Sequence, residues 1–119
     1  MKLKKFEKLV TDALESLPAY FKDKIENVAV VIEDKSAPKK DDDTNRYIIL
    51  GLYEGVPLSD RTHLYGMVLP DKITIFKRNI EQACRTEEEI RELVTRTILH
   101  ELAHHFGISD RRLKEMGAY

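Results

Sequence analysis

HELAHHFGISD, residues 100–110, is the segment around which the rest of this chain is arranged. On an α-helix, residues four positions apart lie about 40° apart in projection and about 6 Å apart along the axis, so His100 and His104 share a face. Zinc accepts neutral histidine nitrogen, and a catalytic zinc site combines three protein ligands with one position open to water. Glu101 lies roughly 60° round the helix from His104, where a general base for that water is expected. The segment therefore predicts a metal site with a base beside it.

The third ligand is expected after the end of this helix. Gly107 can adopt the positive φ that ends a helix and reverses the chain, which returns Asp110 toward the histidines. A glutamate ligand from a helix further on is not available, because Glu115 is the only glutamate after Glu101. The predicted ligands of one zinc ion are His100, His104 and Asp110. Histidines on a long helix are usually surface or core residues, but the complete pattern is rare in a chain of this composition and favours the metal site.

Three other residues could belong to such a site. His105 points about 100° away from His104, so we expect it at the surface or behind a ligand. His63 lies in a polar segment and is predicted to be a surface residue. Met116 follows Asp110 too closely for us to assign it a role.

Composition and charge limit the classes of partner. The 119 residues are enough for one domain, residues 1–119, and 20 basic and 21 acidic side chains leave a formal charge of −1. No overall field attracts nucleic acid or a membrane surface. The basic N-terminus lacks the apolar run of a signal peptide, and Cys84 stands alone, so we predict a cytoplasmic protein. No pattern decides the oligomeric state, and a monomer is our expectation.

Helical periodicity marks both ends of the chain. Apolar residues from Leu3 to Leu17 form one stripe, Pro18 ends or restarts the helix, and residues 19–25 can add a short second helix. Residues 79–84 can form another short helix before the main one. Thr86 opens that main helix, with Glu89 completing a capping box, and we expect it to run to Phe106. Residues 110–116 can form a short closing helix.

Three segments are predicted strands. Residues 28–32 are continuously apolar and β-branched, which favours a strand buried on both faces inside the sheet. Residues 33–46 are polar and predicted to be an exposed loop. Residues 47–53 resemble a second strand in which Gly51 indicates a bulge or a close approach by another backbone, followed by a turn at residues 54–57. Residues 72–77 alternate between polar and apolar, which predicts a strand with one wet face.

The apolar residues of the main helix change sides along its length. Those in its first half fall on the angular sector that later carries the histidines, and those in its second half fall roughly opposite. A surface helix would keep one stripe throughout. We therefore expect a sheet to cover the early turns and the last two turns to line a cleft. The other side would be anchored by Leu99, Leu102 and Phe106.

The chain resembles the small bacterial zincin-like metallopeptidases, which are minimal, metzincin-like domains. The resemblance covers almost the whole chain and is carried by Leu17-Pro18, the strand from Asn27 to Val31, the segment LGLYEGVP at residues 50–57, and the terminal HELAHHFGISD. It implies an α+β zincin-like fold, with a small sheet packed on an N-terminal helix and a C-terminal active-site helix. It also implies zinc bound by His100, His104 and Asp110, and Glu101 as the catalytic residue.

The function predicted from these residues is metal-assisted hydrolysis of a peptide bond, with Glu101 as general base and a peptide or protein substrate held along a strand edge. Two alternatives stay open. Bacterial rRNA-maturation endonucleases use a similar spacing of ligands, but they have glycine in place of Glu101 and histidine in place of Asp110. A domain that binds metal for stability, or that acts as an adaptor, would need no catalytic base.

Overall fold

Five helices and five strands make up the part of the chain that a computed structural model describes, which is residues 1–34, 40–41, 46–47, 49–55 and 71–116. The helices are α1 (Leu3–Glu15), α2 (Ala19–Ile25), α3 (Lys77–Gln82), α4 (Glu87–His105) and α5 (Asp110–Glu115). The strands are β1 (Val28–Glu33), β2 (Lys40–Asp41), β3 (Arg46–Tyr47), β4 (Gly51–Glu54) and β5 (Asp71–Phe76). The predicted α+β class is confirmed.

The main sheet has the strand order β1-β5-β4. Strand β1 runs parallel to β5 with Val30 opposite Ile73, and β4 runs antiparallel to β5 with Tyr53 opposite Ile73. Strands β2 and β3 form a separate antiparallel pair. Lys40, Asp41 and Arg46 lie in the segment 33–46 that was predicted to be an exposed loop, so that prediction was wrong for these residues.

The predicted burial of two strands was wrong. In the described part of the sheet β1 lies at an edge and its apolar side chains are only half-buried, although we expected it inside. Strand β5, expected to have one wet face, is central, and Ile73, Thr74 and Ile75 are all buried. The reason is that pairing with strands from distant parts of the chain decides which strand is covered, and a strand's own alternation does not report those partners.

The second predicted strand is shorter than expected. Its first residue belongs to β3, and β4 begins only at Gly51. Of the turn predicted at residues 54–57, Glu54 belongs to β4, and residues 56–57 lie outside the described residues, as does the segment containing His63.

Gly51 is a point of close approach, as predicted. A Cβ atom there would lie 2.6 Å from Cγ2 of Thr97 and 3.3 Å from the carbonyl oxygen of Thr74. The neighbours are therefore both a helix side chain and the backbone of β5. This contact holds β4 directly against the middle of α4.

Helix α4 begins where the capping residues predicted. Oγ1 of Thr86 accepts a hydrogen bond from the backbone N–H of Glu89 at 3.1 Å. The carboxylate of Glu89 accepts one from the backbone N–H of Arg85 at 2.6 Å, one residue before the usual position in a capping box. The first of these bonds satisfies a donor that the opening turn of a helix leaves unpaired, and the second fixes the chain just before it.

Helix α4 buries one side in its first half and the opposite side in its second half, as its apolar residues predicted, with one exception. Ile90, Val94 and Thr97 are buried in its first half, and Leu99 and Leu102 in its second. The predicted anchor Phe106 is exposed, which corrects that expectation. Phe106 is the C-cap, so its backbone has left the helix, and its ring lies 5.1 Å from Nζ of Lys24 instead of in the core.

The core joins α1 and the sheet to α4. Its members are buried apolar residues contributed by helices from both ends of the chain and by β5, among them Phe6, Val10, Phe21, Ile80, Ile98 and Leu113.

Cys84 is half-buried. Two causes raise the pKa of its thiol: burial, which is the larger, and the charge of the nearby Glu89 carboxylate. That favours a packing role for Cys84 over that of a reactive thiol. No helix in the described ranges is long and apolar enough to cross a membrane.

Candidate metal centre

The last two turns of α4 and the first residue of α5 bring three potential metal ligands together. His100, His104 and Asp110 each offer one ligand atom, and these atoms all lie within 4.8 Å of one another. Nδ1 of His100 is 3.3 Å from Oδ1 of Asp110, and the two imidazole centroids are 6.2 Å apart. Three residues chosen from helical spacing and a predicted turn thus converge in space.

A Schellman turn returns the carboxylate to the helix. Gly107 has φ of 70°, its N–H donates to the carbonyl of His104 at 3.3 Å, and the N–H of Ile108 donates to the carbonyl of Ala103 at 2.7 Å. Ser109 then caps α5 by accepting a hydrogen bond from the backbone N–H of Arg112 at 3.1 Å. Asp110 therefore occupies the first position of a helix whose start is held by its own cap.

One pair of these donors has the spacing of two zinc ligands. Two ligands of a tetrahedral zinc bound at about 2.0–2.1 Å are separated by roughly 3.4 Å, close to the 3.3 Å between His100 and Asp110. His104 and Asp110 are exposed and His100 is half-buried, so the set faces solvent and leaves room for a fourth ligand. Two imidazoles and one carboxylate are a donor set that zinc accepts.

Glu101 follows His100 on α4 and contacts the sheet. Its Oε2 accepts a hydrogen bond of 3.1 Å from the backbone N–H of Tyr53 in β4. The carbonyl of Leu50 accepts from the N–H of Phe76 in β5, so the alternation of an antiparallel ladder turns the backbone groups of Tyr53 away from β5. Glu101 therefore contacts the outer side of β4, the side opposite β5.

Tyr53 and Asp71 were not recognised from the sequence as part of this site. The hydroxyl of Tyr53 donates to Oδ2 of Asp71 at 2.6 Å, and its ring stacks on His105 with centroids 4.0 Å apart and an interplanar angle of 20°. His105, expected at the surface or behind a ligand, has Nε2 3.7 Å from the same carboxylate oxygen. Tyr53 lies in the LGLYEGVP segment, which was the only signal pointing to it, and no pattern pointed to Asp71.

A cavity of about 510 Å³ opens beside the predicted ligands and is lined by Arg96, His100, Asp110 and Lys114. Both cationic side chains are exposed. Arg96 lies one helical turn before His100, and Lys114 lies one turn after Asp110. The cavity wall therefore carries two cationic side chains. Met116 is half-buried against the core.

Comparison with known proteins bears on both the sequence and the fold. A family model described as zincin-like metallopeptidase matches residues 25–118. The comparison with curated proteins finds no match. Among solved structures, a conserved hypothetical protein from Thermus thermophilus is similar with a TM-score of 0.59 and 23% identity, over 89% of this chain and 94% of that one. This structural likeness concerns the fold alone.

Proposed function

Because this chain belongs to the zincin-like metallopeptidase family, we propose that it is a zinc-dependent peptidase that hydrolyses peptide bonds. The observation that carries the proposal is the convergence of the ligand atoms of His100, His104 and Asp110 within 4.8 Å. Glu101 adjoins them on the same turn of α4. This combination supports catalysis better than a purely structural ion, which is usually enclosed by four protein ligands.

The chemistry divides between the ion and Glu101. Zinc held by the three ligands would polarise the scissile carbonyl and acidify an attacking water. Glu101 accepts the proton of that water and later gives it to the leaving amine, so the proton ends on the new amino group. The N–H of Tyr53 occupies Oε2, which leaves Oε1 of Glu101 to carry the proton.

The outer side of β4 is the surface that we propose for the peptide. An extended chain lying along it would pass Glu101, while alternate side chains of the substrate face the cleft. The 510 Å³ cavity supports a preference for substrates that carry a carboxylate. Arg96 and Lys114 would attract a carboxylate near the scissile bond, supplied either by an acidic side chain or by the substrate's C-terminus.

The test combines zinc analysis with cleavage of a peptide library by the purified protein. The wild type is expected to bind one zinc ion and cleave peptides. Glu101→Gln should keep the zinc and lose turnover by about 10²-fold or more, because the base is gone. His100→Ala should lose both. Glu92→Gln, an exposed glutamate on the same helix, is the matched control. Unchanged turnover in Glu101→Gln would refute the assigned base.

Two alternatives give different results. If the ion stabilised the fold, its removal would unfold the protein. If the ion is catalytic, the protein without it should still unfold cooperatively on heating. The buried apolar core includes none of the three ligands, which supports the second outcome. An RNA hydrolase would bind RNA with a steep salt dependence, which a chain of net charge −1 does not lead us to expect.

A further inference from the structure

We propose that Tyr53, held in place by Asp71 and His105, is a positioning residue for Glu101. The role of Glu101 as the base rests on the function proposed above. The arrangement that orients its carboxylate does not, and it can be tested without any cleavage assay.

Tyr53 contacts α4 twice. Its backbone N–H donates to Oε2 of Glu101 at 3.1 Å, and its ring stacks on His105 at 4.0 Å. Glu101 and His105 are four residues apart, so both contacts fall on neighbouring positions of one helix face. The peptide unit of Tyr53 and the last turn of α4 are therefore aligned by two contacts of different kinds.

Asp71 fixes the other end of the side chain. Its carboxylate accepts from the hydroxyl of Tyr53 at 2.6 Å and is only 15% exposed. A hydrogen bond to an ionised acceptor in such surroundings is stronger than one between neutral groups. Because Asp71 begins β5 and Tyr53 lies in β4, the bond ties the end of a four-residue strand to the centre of the sheet.

The hydrogen bond between Tyr53 and Asp71 matters because the N–H of Tyr53 faces away from the hydrogen bonds that join β4 to β5. A short strand frays readily at its ends, and the bond to Glu101 is only as well directed as the peptide plane that makes it. If the ring of Tyr53 served only to pack against His105, phenylalanine would serve equally well, because it keeps the ring. The partly buried hydrogen bond from the hydroxyl is the feature that indicates positioning.

The experiment measures amide hydrogen exchange at residue 53 by NMR in the zinc-loaded full chain. We expect protection in the wild type and its loss in Glu101→Ala. Tyr53→Phe keeps the stacking but loses the bond to Asp71, and should exchange about tenfold faster than the wild type. Tyr53→Ala loses both contacts and should exchange faster still. Tyr20→Phe is the control, because it removes a hydroxyl from an exposed tyrosine in α2.

Kinetics supply the second readout where the wild type cleaves a peptide. Tyr53→Phe should lower kcat by about tenfold with KM and zinc content unchanged, because only the orientation of the base is affected. Equal exchange at residue 53 in the wild type and Tyr53→Phe would overturn the proposal, as would an unchanged kcat. A wild type that cleaves nothing while its exchange rates follow the predicted order would refute the peptidase and leave the positioning of Glu101 standing. If Tyr53→Ala fails to fold, Tyr53→Phe decides the matter alone.

Discussion

Nδ1 of His100 lies 3.3 Å from Oδ1 of Asp110, although the end of a helix and a reversed turn separate the two residues along the chain. The turn between them is held by Gly107 at φ of 70° and by the N–H of Ile108, which bonds back to Ala103. The geometry of the predicted metal centre thus depends on one residue that is not itself a ligand.

Gly107→Ala should lower both the stability and the zinc affinity. A Cβ atom at residue 107 would meet nothing within 4 Å, so the cost is that of a left-handed backbone alone, about 1 kcal/mol. Relaxation of the turn would then move Asp110 from the histidines. Urea unfolding and zinc titration against a chromophoric chelator measure the two effects. The control is Gly55→Ala, where a Cβ would make only ordinary contacts, and it should change the stability by no more than about 0.5 kcal/mol. Equal stability of the two variants would contradict this account.

Gly51→Ala should destabilise the fold by about 1–3 kcal/mol, because the new methyl group would lie 2.6 Å from Cγ2 of Thr97. Thr97→Ser removes that methyl group and keeps the hydroxyl that donates to the carbonyl of Leu93 at 2.7 Å. The double variant should recover about 1 kcal/mol or more of the loss, as a double-mutant cycle of urea midpoints would show. If the changes in unfolding free energy of the two substitutions simply added, β4 and α4 would not be in contact there.

The buried ion pair between Lys77 and Glu81 should make stability depend on acid pH. Nζ of Lys77 lies 2.6 Å from Oε1 of Glu81, and its side chain is 7% exposed. Burial acts to raise the pKa of Glu81, but Lys77 and the N-terminal ammonium of Met1 outweigh it and hold that pKa below its ordinary value of 4.5. The pair's contribution is therefore complete above pH 4.5 and is lost as the pH falls through the lower pKa of the folded state.

Glu81→Gln should accordingly cost about 2 kcal/mol at pH 7, and its deficit relative to the wild type should shrink below pH 4.5. Urea unfolding at a series of pH values measures the difference. Glu92→Gln, with an exposed side chain, should follow the wild type throughout. A deficit that stays constant down to about pH 3 would show that Glu81 does not titrate in this range.

Arg96→Gln and Lys114→Gln should each raise KM about threefold or more for peptides that carry a carboxylate near the scissile bond, with less effect at high salt. Neutral peptides should be unaffected. C-terminal amidation of the same peptides distinguishes a terminal carboxylate from an acidic side chain. Arg111→Gln is the control, since that side chain is 90% exposed and pairs with Glu115. Equal KM values for acidic and neutral peptides in the wild type would remove the proposed preference.

Local patterns in the sequence determined the helices and the candidate ligands. Helical spacing, the Thr86 cap and the turn at Gly107 operate within about ten residues, so they could be recognised without knowing the fold. The same holds for His100, His104 and Asp110, which the structure brings together as predicted. Their role in binding zinc, and the role of Glu101 as a base, stay predictions for the experiments above.

Only the tertiary structure decided which strand lies in the centre of the sheet, that Phe106 is exposed, and that Tyr53 contacts both Glu101 and Asp71. Each of these depends on contacts between residues far apart in the chain, and periodicity describes one element at a time. Glu101 shows the division most clearly. Its place on the helix could be read from its neighbours, but its hydrogen-bond partner comes from a strand whose position no local pattern specifies.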